Sequence, residues 1–144
     1  MHSLGMRRWF GAFALALLLP CACGAELVVI VSARSTVPAL RADQVADIFL
    51  GQASRFPDGA EAAAVDQPVG SPLRDEFYAK VAAKSPALMK AYWTKMIFTG
   101  RGQPPKEANG SAAIRKLVAD NPALVGYIDR AALDPSVKPV LVLH

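Results

Sequence analysis

Histidine and cysteine are nearly absent from this chain: among 144 residues there are two of each, and Cys21 and Cys23 both fall within the first 25 positions. Beyond them the one histidine is the terminal His144, so a Ser-His-Asp relay or a histidine-based metal centre lacks its parts. The same stretch can form no disulfide, thiol nucleophile or thiolate metal site. No phosphate-loop or dinucleotide glycine pattern occurs. The carboxylates are scattered, and the adjacent pair Asp75-Glu76 points in two directions on a helix. These absences leave no catalytic residues, no metal and no cofactor to assign, and they argue against an enzyme.

Long apolar runs are also missing, with one short exception. Arg7-Arg8 precede the apolar stretch from Trp9 to Leu19, and small residues follow around Cys23-Gly24-Ala25. That order predicts a cleavable export signal over residues 1–25, cut after Ala25 or one residue earlier, and hence an exported protein. A lipoprotein with its lipid on Cys21 or Cys23 is the second reading. The run falls short of the roughly 20 residues of a membrane span. Removing Arg7 and Arg8 from the 16 Lys and Arg leaves 14 against 12 Asp and Glu, and the longest basic run after the signal is Arg115-Lys116. No nucleic-acid or anionic-lipid surface is indicated. About 120 residues remain, from 26 to 144, enough for one compact domain with one core.

What is present reads as alternating strands and helices. Glu26 to Ala33 is an unalternating aliphatic run, as in a central strand covered on both faces. Val45, Ile48 and Phe49 have helical spacing, with Gly51 as a C-terminal glycine. Ala60 to Val65 suggests a second strand. Leu73, Phe77 and Val81 form the stripe of a second helix, with Arg74 mostly off it, and Ser85-Pro86 opens a third helix bearing Met89, Trp93 and Met96 on one face. After the loop Arg101 to Pro105, Asn109-Gly110-Ser111 begins a fourth helix with Ile114, Leu117 and Val118 inward. Leu124 to Ile128 and Val137 to Leu143 read as strands, and Pro139 suggests that the latter is an edge strand or that the proline marks a strand start. The order β-α-β-α-α-α-β-β predicts a three-layer α/β domain with a mixed sheet.

The segment Asp66-Gln67-Pro68-Val69-Gly70-Ser71-Pro72-Leu73-Arg74 runs from an apolar stretch into a helix start. Ser71 can cap the helix, Pro72 suits its first turn, and an oxyanion could rest where the dipole is positive and orphan N–H groups point outward. A plain helix start accounts for the same residues. Gly110-Ser111 with Arg115 is a weaker site of the same kind. Arg101, between two glycines, is a further candidate for a ligand or partner contact.

Leu40 to Gly51, with Ile48-Phe49-Leu50-Gly51 at its end, then Gly70-Ser71 with Phe77, then Val125-Gly126-Tyr127-Ile128 occur in an order that resembles the second lobe of type II periplasmic solute-binding proteins. The likeness is to the phosphate ABC transporter substrate-binding proteins in particular. It implies a single lobe of that fold and a ligand site at the Gly70-Ser71 tip, with Gln67 at a family ligand position; Arg74, which could rise beside the tip, and Arg101 complete the candidate ligand set on the local reading above. It also implies a small oxyanion such as phosphate as ligand and an ABC permease as partner. In the family's pattern an arginine stands where this chain has Gln67, and Gly-Thr where it has Pro72-Leu73. The lost donors predict weak binding, and a lone lobe predicts help from a homodimer or another protein. The alternative function is a periplasmic interaction module that docks on a membrane sensor or envelope protein and has no tight ligand of its own.

Overall fold

The computed structural model describes residues 26–144, and the expected export signal lies outside them. Five strands and four helices follow in the order β1 (Leu27–Ser32), α1 (Ala42–Phe49), β2 (Ala63–Asp66), α2 (Pro72–Ala82), α3 (Pro86–Phe98), β3 (Lys106–Glu107), α4 (Ser111–Asp120), β4 (Leu124–Asp129) and β5 (Val137–Leu143). The strands form one mixed sheet of order β3-β2-β4-β1-β5. β1 is antiparallel to both β4 and β5, whereas β2 is parallel to both β3 and β4.

Every residue of β1 is buried, as its unbroken aliphatic run requires. Leu27, Val29 and Val31 face a core shared with Phe49 of α1, Phe77 of α2 and Trp93 of α3. Val28 and Ile30 face the opposite way, toward Ile114 and Val118 of α4. The result is the three-layer α/β arrangement. β5 is an edge strand, and the register of β1 against it slips between Val29 and Ile30, so that Val140 next to Pro139 is the extra residue. A proline lacks the N–H that a regular ladder needs, and an edge bulge tolerates it.

Glycine is required at the β4–α4 contact. A Cβ on Gly126 would stand 2.6 Å from Ile114 Cγ2 and 3.3 Å from Val118 Cγ2, so the helix reaches this depth over the sheet only because no side chain intervenes.

Three local expectations need correction. Leu117 is 46% exposed, because the face of α4 against the sheet is narrow and is filled by Ile114 and Val118. Residues 106–107 form a strand too short to leave a periodicity in sequence. Arg74, placed off the apolar stripe of α2, is buried, for the electrostatic reason given below.

Candidate functional site

β2 delivers Asp66 to the end of the sheet, where its side chain is wholly buried. A carboxylate withdrawn from water needs donors or a counter-charge, and three donors and one cation are gathered round it. Tyr127 of β4 donates its hydroxyl to Oδ1, Tyr78 of α2 donates to Oδ2 at 2.5 Å, and the Gln67 N–H reaches Oδ1 at 2.8 Å. Arg74 Nη1 stands 3.7 Å from Oδ2. Burial raises the Asp66 carboxyl above its ordinary range, while the two phenols and the Arg74 charge pull the other way. Burial, then the neighbouring Asp66 charge, pushes both phenols up, so they stay protonated and remain donors.

Arg74 explains its own burial. Its Nη1 donates to the Gln67 carbonyl at 3.0 Å and to Glu107 Oε1 at 2.9 Å, while facing Asp66. One guanidinium thus ties β2, α2 and β3 together, with 11% of its side chain exposed. A cation with two carboxylates beside it has little net field left for an outside anion.

The turn from Asp66 to α2 forms the tip. The Ser71 N–H donates to the Pro68 carbonyl at 3.0 Å, which bends the chain through Gly70 at φ +89. That left-handed conformation suits glycine. Ser71 is the N-cap, yet its hydroxyl makes no capping bond. Pro72 has no N–H, so Leu73 and Arg74 carry the orphan backbone donors of the first turn. The tip therefore offers one hydroxyl and two N–H groups at the positive end of an eleven-residue helix.

The other sequence-selected residues lie differently. Gln67 is 2% exposed; its amide points inward, donating to the Tyr127 carbonyl at 3.3 Å and to Ser111 Oγ at 3.5 Å. It braces the tip from beneath. Arg101 is exposed and enters no ion pair among the described residues; its backbone N–H closes the end of α3 on the Met96 carbonyl at 2.9 Å. Ser111 Oγ accepts from the Asp129 N–H at 3.0 Å, and Arg115 pairs with Asp134 at 3.1 Å, so the weaker helix start is spent on internal bonds.

Gly70 and Arg74 line a groove of about 600 Å³ between the tip, α2 and α3. Its walls are mainly apolar, with Val69, Met89, Trp93 and Ile97 on it. Arg101 is not among its lining residues. Asp66, Tyr78, Tyr127 and Glu107 are not among the sequence-selected site residues, although Asp66 and Tyr127 lie in quoted segments. Their partnership joins positions 61 apart for Asp66 and Tyr127 and 33 apart for Arg74 and Glu107, and no local pattern carries such a link. Sealed behind two phenols, Asp66 is in no position to take a proton from a substrate. Among the described residues no three His, Cys, Asp or Glu side chains gather to hold a metal ion.

No protein-family model matches the chain, and no curated protein does. Solved structures do. A phosphate ABC transporter substrate-binding protein from Clostridium perfringens with bound phosphate superposes with a TM-score of 0.62 at 27% identity, covering 81% of this chain and 45% of that one. An ABC-type phosphate transport receptor from Vibrio cholerae gives 0.63 at 21% identity, covering 81% of this chain and 46% of its own. PstS from Borrelia burgdorferi gives 0.58 at 12%, with 81% and 47% covered. The first two of these neighbours are described as phosphate transport proteins. The chain spans about half the length of the solved structures it matches. With its mixed five-stranded sheet and four helices, the chain has the α/β fold of a partial lobe of the phosphate ABC transporter substrate-binding proteins.

Proposed function

We propose that this chain is an exported, periplasmic solute-binding-type protein that takes a small oxyanion such as phosphate, weakly, at the Gly70-Ser71 tip, in the service of an ABC transporter. The observation that carries the reading is the uncommitted hydroxyl of Ser71: it sits at the helix start without capping it, next to the orphan N–H groups of Leu73 and Arg74. The Clostridium perfringens neighbour, solved with phosphate, supports the choice of ligand. Weakness follows from the rest of the site. Gln67 faces inward, Arg74 is held between Asp66 and Glu107, and Pro72 supplies no donor. Three neutral contacts in an open site correspond to a Kd on the order of millimolar. Calorimetric titration with phosphate tests this. Heat fitting millimolar affinity in the wild type and its loss in Ser71→Ala is the expected result, and undiminished binding in Ser71→Ala overturns it.

A second reading has its own observation. The groove beside the tip is apolar, and Val69 on its edge is 76% exposed. A surface of that kind suits a protein interface better than a site for an inorganic ion. In this reading the chain is a periplasmic module whose tip face docks on a membrane sensor or envelope protein, or on a second copy of itself.

A further inference from the structure

The strongest unassigned feature is the outward face of α3 together with the groove that it shares with α2. A second shallow hollow of about 550 Å³ lies along the helix, lined by Ala87, Lys90, Ala91, Thr94, Lys95 and Phe98. Ala87, Lys90 and Thr94 border both hollows, so the two form one surface divided only by a line of short side chains and one lysine. Large apolar groups frame it: Phe98 is 90% exposed, Val69 76% and Ile97 55%. Exposed singly these would be ordinary, but Val69 and Ile97 share one hollow and Phe98 borders the next. Trp93 in the groove wall also holds the sole buried side-chain polar atom without a partner among the described residues, its indole Nε1.

Charge identifies the occupant. Lys84, Lys90 and Lys95 border these hollows and enter no salt bridge among the described residues, and Arg101 just beyond α3 enters none either. Residues 1–25 contain no Asp or Glu that could pair with them, and α3 itself has no acid. Of the two acids on the groove, Glu107 is held by Arg74, which leaves Asp75. Lys84 rests on the Tyr92 ring, 5.5 Å from its centroid, and Lys90 and Lys95 have no acidic partner among the described residues; an apolar trough edged by such cations is complementary to a segment with one apolar and one acidic face. A trough between two helices fits a third helix laid along it, with large side chains seated where α3 presents alanine and threonine.

We infer that the α2–α3 groove docks an acidic amphipathic helix of a partner protein. The inference rests on the second functional reading and names the chemistry of its partner. A bilayer is flat and would meet the rims but not the trough, which separates this occupant from an anionic membrane.

The experiment uses fluorescence anisotropy with a labelled peptide of about 16 residues, enough for four helical turns, built from Leu on one face and Glu on the other. Its counterpart carries Lys in place of Glu. The acidic peptide is expected to bind at least about tenfold more tightly than the basic one, with the difference shrinking at high salt. Phe98→Asp, and separately Lys90→Glu with Lys95→Glu, are expected to weaken binding by about tenfold. These side chains are exposed, so the melting temperature stays unchanged and folding does not confound the result. Ser71→Ala leaves peptide binding intact, which separates this surface from the oxyanion tip. Failure of the acidic peptide to bind, equal binding of both peptides, or wild-type binding by Phe98→Asp overturns the inference. Self-association that is abolished by Phe98→Asp also overturns it, while sparing the docking reading, because the occupant is then a second copy. Preference for phosphatidylglycerol vesicles over the peptide overturns both.

Discussion

The hydroxyl of Tyr127 on β4 donates to Oδ1 of Asp66 on the adjacent strand β2, and the ring that carries it lies flat on Phe77, 3.8 Å between centroids with 7° between planes. One residue thus joins the aromatic core to the charged cluster under the tip. Tyr127→Phe keeps the stack and removes the hydroxyl alone. A hydrogen bond to a buried carboxylate contributes roughly 1.5–3 kcal/mol, and urea unfolding of Tyr127→Phe is expected to show a loss of that size. A change below about 0.5 kcal/mol would mean that Asp66 does not depend on this donor.

Asp66 also sets a pH dependence. Its folded-state carboxyl is raised by burial, so between the ordinary carboxylate range and the raised value the folded protein binds more protons than the unfolded chain. Its contribution is therefore fully present below the ordinary range and declines as pH rises through the raised value. Glu26, Asp43 and Asp134 are held below their ordinary range, chiefly by hydrogen bonds from Arg130, Arg41 and Ser136 respectively, and act oppositely, losing their contribution as pH falls through their lowered values. Denaturation across this range should show a fall with rising pH that is absent from Asp66→Asn. The same fall in the variant would assign it elsewhere.

The two candidate arginines are expected to part company. Arg74→Ala leaves Asp66 buried beside no cation and unties β3, at a cost of roughly 3 kcal/mol. Arg101→Ala touches an exposed side chain in no ion pair among the described residues and should stay within about 0.5 kcal/mol. Chemical denaturation of both variants measures this, and equal stabilities would contradict the cluster.

Gly126→Ala pushes a methyl into Ile114, and overpacking of this kind costs roughly 1–3 kcal/mol. In the Ile114→Ala background the 2.6 Å contact is gone, the tight 3.3 Å contact to Val118 Cγ2 alone remains, and the methyl partly fills the cavity. The two changes are expected to cost less together than the sum of each alone, a coupling that a double-mutant cycle reads directly. Strict additivity would show that α4 does not press on β4 at this point.

Much of the architecture was legible along the chain because its elements are locally determined. The aliphatic run of β1 cannot be solvated on either face, and the stripe Phe77 and Val81 fixes which side of α2 turns inward. The prolines and serines at 71–72 and 85–86 mark helix starts where they occur. The Gly70-Ser71 tip was visible for the same local reason. The roles of Gln67 and Arg74 were not. Periodicity treats arginine as a surface residue, and only the arrival of Asp66, Glu107 and the Gln67 carbonyl from other elements makes its burial favourable. Leu117 failed in the opposite sense, since an apolar residue at helical spacing still needs a surface to meet, and α4 meets the sheet along too narrow a strip.

The central claim is that the tip holds an oxyanion through Ser71 and the first-turn N–H groups, and amide chemical-shift mapping under phosphate titration tests it most directly. The account predicts saturable shifts at Gly70, Ser71, Leu73 and Arg74, with a common Kd on the order of millimolar and little change at the Gly110-Ser111 start, whose hydroxyl is already engaged. Shifts of equal size at both helix starts, or none at Ser71 and Leu73 while phosphate reaches tens of millimolar, would contradict it.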